Sequence, residues 1–167
     1  MKITAFETRA VGLPRPPGPT TPGNATFVTI KLRTDDGLEG IGYAGFGTGV
    51  MLPALKAAVD GLAALVVGRD PNDIEAIRES LLTAGGSGSP AGIVTRAVAG
   101  IDVALWDLKA KAAGLPLHKL LGGFRDRVPA YASGELWRNY DLKMLAETAP
   151  KLVEQGFKAM KFRLGAE

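Results

Sequence analysis

The 167-residue sequence predicts an α+β domain to about residue 125, followed by the start of an α/β unit. Three observations carry this reading. Two alternating segments, 2–12 and 26–34, and a third, 38–45, are separated by turn-rich stretches, as in an antiparallel meander. Residues 51–113 then carry apolar side chains at helical spacing. After "LLGGFRDR" the pattern becomes strand, helix, strand, and such a crossover joins parallel strands.

The elements follow in order. Residues 2–12 place Ile3, Ala5, Thr8 and Ala10 in near alternation. "PRPPGPTTPGNA" (14–25) holds five prolines, which cannot donate to a ladder, so it is a loop. In "TFVTIKLRT" (26–34) Val28, Ile30 and Leu32 face a core, while Phe27, Thr29, Lys31 and Arg33 face away. "DDG" turns the chain, because Gly37 tolerates positive φ, and "LEGIGYAG" pairs back. Leu52, Leu55, Val59, Leu62 and Leu65 define one helical face, and Ile74, Ile77 and Leu81 another, with Asp73 as the expected N-cap. "AGGSGSPAG" (84–92) is a flexible connector. A long helix over 91–113 ends at Gly114 and Pro116, and its alanine-rich inner positions require a closely packed neighbour. "VPAYASGELW" is a strand, "DLKMLAETAPKLVEQG" a helix with a kink expected at Pro150, and "FKAMKFRLG" a strand.

Composition excludes several classes. The chain is 46% hydrophobic and 22% charged, which is globular. The net charge of +3 comes from interspersed signs with no basic block, so no nucleic-acid partner is implied. No apolar run reaches membrane-span length, so no membrane partner is expected, and the N-terminus lacks the pattern of a secretion signal. Cytoplasm is therefore the expected location. With no Cys, disulfides, thiolate nucleophiles and Cys-bound zinc are excluded.

Local motifs read modestly. "GFGTG" (45–49) follows an antiparallel strand and lacks the third glycine of a dinucleotide loop, so a surface loop is the better reading. His118, the one histidine, has no second His or Cys nearby and reads as structural. Asp102 and Asp107, five residues apart on the long helix, do not share a face well and read as packing polar groups.

The most specific stretch is "AVAGIDVALWDLKAKAAGLPLHKLLGG", residues 97–123. Ala97, Ala99, Gly100, Ile101, Asp102, Ala104, Leu105, Asp107, Leu108, Ala110, Lys111, Pro116, Leu117, Leu120, Leu121 and Gly122 fit a long signature. It resembles that of the enolase superfamily, in its mandelate racemase / muconate lactonizing enzyme branch. The resemblance implies an N-terminal capping domain over residues 1–125 and, over 126–167, the first β-α-β unit of a modified TIM-like β/α barrel that stays incomplete. It also implies proton abstraction next to a carboxylate, with Mg²⁺ stabilising the enediolate. The expected substrate is a small carboxylate, a sugar acid, and the complete enzyme is expected to be a homo-oligomer.

On the second barrel strand, many members of this branch carry Lys-x-Lys. Here Lys161 takes the first position and Arg163 the second, on one side of the strand, so both are expected catalytic residues. Lys158 is an odd step away and is expected at the surface. Arg stays protonated, so Arg163 is a poor base and a good carboxylate or oxyanion partner. This favours an acid-sugar dehydratase over two-base racemisation. Racemase, epimerase or cycloisomerase chemistry stays open, as does a non-catalytic capping-like interaction module. Loops 14–25 and 45–50 match the two capping-domain loops over the barrel mouth. Pro14, Arg15, Thr20, Thr21, Phe46 and Thr48 are the substrate-binding residues this implies. The metal ligands and the His–Asp base are expected on later strands, outside these residues. The sequence is accordingly expected to be the N-terminal portion of a longer enzyme, inactive by itself.

Overall fold

The computed structural model describes residues 1–14, 25–46, 49–136 and 140–163. These form two compact units, one ending at Phe124 and one beginning at Arg125. Both match the expected class: an antiparallel three-stranded sheet with helices, then a parallel strand pair.

In the first unit, β1 (Ile3–Leu13), β2 (Ala25–Thr34) and β3 (Glu39–Phe46) lie in the order β1-β2-β3. The expected turn is present, with Gly37 at φ +85°. Thr34 Oγ1 braces it, accepting from the Leu38 N–H at 3.0 Å. The period of β2 is realised as read: Val28, Ile30 and Leu32 are fully buried. Its other face carries an ion-pair ladder. Arg33 joins Glu7 of β1 at 3.4 Å and Glu39 of β3 at 2.8 Å, and Lys31 joins Glu39 at 3.1 Å. Such exposed pairs contribute little each, but they keep the outer face solvated and the strands in register.

Two helices cover the inner face, α1 (Leu52–Ala64) and α3 (Gly92–Ala112), and α2 (Ile74–Ala84) packs on α3. Leu55 and Val59 of α1, Ile77 and Leu81 of α2, and Ile101, Leu105 and Leu108 of α3 form one buried core with Val28, Ile30 and Leu32 of β2. Two expectations need correction. Leu65 is half exposed, because α1 ends at Ala64 and Leu65 is its C-cap, turned off the apolar stripe. Asp73 stands at the N-cap of α2, but its side chain makes no capping bond; its carbonyl accepts from the Ile77 N–H at 2.9 Å instead. The connector 84–92 contains a 3-10 turn at Gly86–Gly88.

Helix α3 approaches β3 at backbone distance, which is what its small inner residues predict. A Cβ on Gly42 would overlap the Gly100 carbonyl oxygen and stand 2.9 Å from the Ala104 amide nitrogen. One on Gly40 would overlap the Ala104 carbonyl oxygen, and one on Gly100 would stand 2.6 Å from Ile30 Cδ1. A short α4 (Leu117–Leu120) follows, after Gly114 at φ +65° breaks α3.

In the second unit, β4 (Ala132–Leu136) and β5 (Met160–Phe162) pair in parallel, joined by α5 (Leu142–Glu154). The Asp141 side chain caps α5, accepting from the Met144 N–H at 2.7 Å. Pro150 lies inside the helix. Leu152 of α5 packs with Ala132 and Leu136, a small separate core.

The close approach predicts a contrast between two glycines. Gly42→Ala must push α3 off the sheet and is expected to cost about 2 kcal/mol or more in urea denaturation. Gly61→Ala, on α1 with nothing within 4 Å of an added Cβ, is expected to be neutral or to stabilise by up to about 1 kcal/mol.

Candidate functional site

The signature helix α3 carries the polar residues the sequence singled out, and the structure gives Asp107 and Lys111 partners on β3. Asp107 Oδ2 accepts from the Ile41 N–H of β3 at 2.8 Å and from Lys111 Nζ at 2.7 Å. Lys111 Nζ also donates to the Glu39 carbonyl at 2.7 Å, and Arg96 Nη1 to the Gly45 carbonyl at 2.9 Å. All three acceptors and donors on β3 belong to odd-numbered residues, whose backbone groups point away from β2. Helix side chains thus satisfy an edge that would otherwise invite another strand. Asp107 reads correctly as a packing group. Its partner could not be read, because Ile41 lies 66 residues earlier.

Asp102 is half buried and faces α2. Burial raises its carboxyl above the usual aspartate range, and Glu75 adds to the rise. Arg78 opposes it, but that guanidinium is also committed to Glu75 at 3.0 Å. His118 is exposed on α4. Among the described residues no group of three or more His, Cys, Asp or Glu could hold a metal ion. The described residues therefore do not by themselves fit a magnesium site. No helix of the described residues is long and apolar enough to cross a membrane.

The residues expected to do chemistry lie on the second unit. Lys161 is on β5 and Arg163 directly follows it; both are exposed, as is Lys158. The register pairs Leu136 with Phe162, and the Arg163 N–H donates to the Leu136 carbonyl at 3.0 Å. Lys161 and Arg163 thus flank the last registered pair, at the carboxyl ends of two parallel strands. β5 pairs with β4 alone among the described residues, and its cations reach solvent.

Of the expected substrate contacts, Pro14 is exposed just after β1, and Phe46 is the last residue of β3. Arg15, Thr20, Thr21 and Thr48 lie outside the described residues.

An α+β capping-type domain with a sealed sheet edge, followed by a parallel β-α-β unit with cations at its carboxyl end, is the architecture of the N-terminal region of the enolase superfamily. Residues 3–122 match the model of the mandelate racemase / muconate lactonizing enzyme N-terminal domain, and the chain belongs to that family.

Among its relatives, L-talarate/galactarate dehydratase of Salmonella typhimurium is 37% identical over 143 residues, which is 83% of this chain and 35% of the relative. D-mannonate dehydratase of Rhizorhabdus wittichii is 37% identical over 140 residues, 83% of this chain and 34% of the relative. The chain thus spans about a third of the length of the curated relatives it matches. The crystal structure of L-talarate dehydratase from Polaromonas sp. JS666, complexed with Mg and L-glucarate, superposes with a TM-score of 0.87 at 32% identity. That match covers 99% of this chain and 44% of the other.

Two outcomes test the roles given to α3. Asp107→Ala is expected to speed hydrogen exchange at the Ile41 amide and to cost about 1–2 kcal/mol, with Asp107→Asn intermediate. Asp102→Asn is expected to raise the melting temperature at pH 7. A carboxyl whose folded pKa is raised makes the native state bind protons more readily than the unfolded one. Its penalty therefore develops as pH rises through the ordinary aspartate value and is complete above the raised one. The gain from Asp102→Asn should shrink as pH falls through the raised value and vanish below the ordinary aspartate value.

Proposed function

We propose that this chain is the N-terminal part of an acid-sugar dehydratase: an enzyme that removes the proton beside a carboxylate and expels a neighbouring hydroxyl, leaving a 2-keto-3-deoxy acid. The observation that supports it most is the pair Lys161 and Arg163 at the carboxyl ends of β4 and β5, in a chain whose relatives include sugar-acid dehydratases. Active sites of β/α barrels are built at that end of the strands.

In this reading residues 1–125 are the capping domain and 126–167 begin the barrel. Lys161 and Arg163 hold the substrate carboxylate and the oxygen on which negative charge develops. Fixed cations serve there because they need no reorganisation as the charge forms. Arg163 keeps its proton throughout, so it stabilises charge and does not abstract the proton. This second position is what favours dehydration over two-base racemisation. Pro14, Arg15, Thr20, Thr21, Phe46 and Thr48 are proposed as substrate contacts on the strength of family membership. Magnesium, where the complete protein binds it, supplies charge stabilisation at the substrate carboxylate; its ligands are proposed to lie outside these residues. The reading extends to a cytoplasmic homo-oligomer.

A sugar-acid panel, with the 2-keto acid product detected as its semicarbazone, tests the reading on the purified protein carrying this chain. Lys161→Met and Arg163→Met are each expected to lower kcat by about 10²-fold or more with the fold intact. Turnover unaffected by both substitutions, or undiminished after chelation of divalent cations, would remove the enediolate mechanism.

A further inference from the structure

The two edges of the first sheet are treated differently. On β3 the outward backbone groups bond to side chains of α3. On β1 they do not. The Ile41 N–H points away from β2, so Lys31, its partner in register, turns its own backbone groups towards β1, where it meets Glu7. The alternate residues of β1, Phe6, Thr8 and Ala10, therefore direct their N–H and C=O groups outwards. Ile3, across the bulge, also points outwards, and it is satisfied. Its N–H donates to the Arg69 carbonyl at 2.9 Å, and its carbonyl accepts from the Gly68 N–H at 2.7 Å. Phe6, Thr8 and Ala10 have no such backbone partner among the described residues. An unpaired edge of this kind is a template for another strand.

We propose that the strand taken up there is β1 of a second copy of this chain, paired antiparallel about a two-fold axis at Thr8. Thr8 then lies opposite Thr8, Phe6 opposite Ala10, and Glu7 opposite Arg9. Charge selects both the partner and the register. Glu7 and Arg9 lie on the outer face of the sheet, and the Arg9 side chain is 76% exposed. About Thr8 the two-fold sets each Glu7 against an Arg9, and opposite charges directly across a strand pair stabilise it. A slip of two residues one way sets Glu7 against Glu7, and the other way Arg9 against Arg9. On the inner face the half-buried Phe6 would cover the exposed Ala10. Helix α1 repeats the pattern. Lys56 Nζ donates to Thr8 Oγ1 at 3.0 Å and to Asp60 Oδ2 at 2.7 Å, and Thr8 Oγ1 donates to Asp60. Both charges thus stand beside the axis, and the symmetry turns each Lys56 towards the partner's Asp60. Ala57 and Ala64, small and exposed on α1, leave room for the second helix. Such an isologous contact closes at two copies. The inference rests on the homo-oligomer of the proposed function, for which it names the contact, and not on the dehydratase chemistry.

The test is the mass in solution of the purified protein carrying this chain, by size exclusion with light scattering, with far-UV circular dichroism as the control for folding. Ala10→Pro removes an outward N–H that β1 does not use within its own sheet, and edge strands accept proline at such positions. It is expected to halve the mass and leave the dichroism unchanged. Arg9→Glu and Glu7→Arg, taken separately, are each expected to raise the dissociation constant by on the order of tenfold or more. Mixed together, those two forms are expected to pair at close to the wild-type affinity, because each position 7 then faces the opposite charge at position 9. Failure of the mixture to pair would overturn the register at Thr8. A wild-type oligomer whose mass none of the substitutions changes would overturn this contact and leave the homo-oligomer standing. A wild-type mass of one copy would overturn both. The dehydratase reading is judged separately, by turnover of sugar acids, and does not fall with either outcome.

Discussion

The first unit depends on one contact: the backbone of α3 lies against the backbone of β3. It is possible because Gly40 and Gly42 face Gly100 and Ala104, where a methyl group would have to occupy space filled by carbonyl oxygen. Interiors are packed too densely to absorb such an overlap by small adjustments. The approach has two consequences. It lets Ile101, Leu105 and Leu108 reach Ile30 and Leu32, which builds the core. It also brings the polar side chains of α3 within hydrogen-bonding reach of the strand's outer edge, so Asp107, Lys111 and Arg96 can bond to backbone groups that no strand satisfies. A longer approach distance would lose both.

This explains why the long signature of residues 97–123 mixes small residues with an acid and a lysine. The small residues set the distance and the charged ones use it. The contacts seen for both groups are to β3. A stretch that identifies the family so specifically is thus devoted to holding the capping sheet. The two cations proposed to act on the substrate, Lys161 and Arg163, sit instead on the second unit. Sequence specificity follows packing constraints here, since a glycine at a backbone crossing has no substitute, whereas a strand-end cation can be Lys or Arg.

Much of the fold was legible because its determinants are local. Alternation over 26–34 gave the buried face of β2, residue by residue, and the helical stripes gave Leu55, Val59, Ile77 and Leu81. The alanine-rich face of α3 announced a close neighbour. What escaped were facts that require two distant segments at once. "LEGIGYAG" read as a strand, but the reason for its glycines lies at Gly100 and Ala104. Asp107 read as a packing group without the Ile41 amide it serves. Leu65 kept the helical spacing yet fell one residue beyond the helix, where spacing no longer decides direction. The bulge in β4, where Ala132 pairs with Met160 and Leu136 with Phe162, escaped for a related reason: a bulge is a mismatch between two strands, and "ASGEL" by itself shows only alternation and a glycine.

The proposed site divides the same way. Lys161 and Arg163 were legible from period two and from the resemblance, because both concern one strand. The pairing that positions them was not, since Leu136 and Phe162 come from segments separated by the whole of α5. An Arg in place of the second Lys keeps its positive charge whatever its surroundings, which in the proposed reading constrains the type of reaction. Because the pair flanks the last registered residues of two parallel strands, backbone pairing holds its position, and Lys or Arg can exchange there without disturbing the strand geometry.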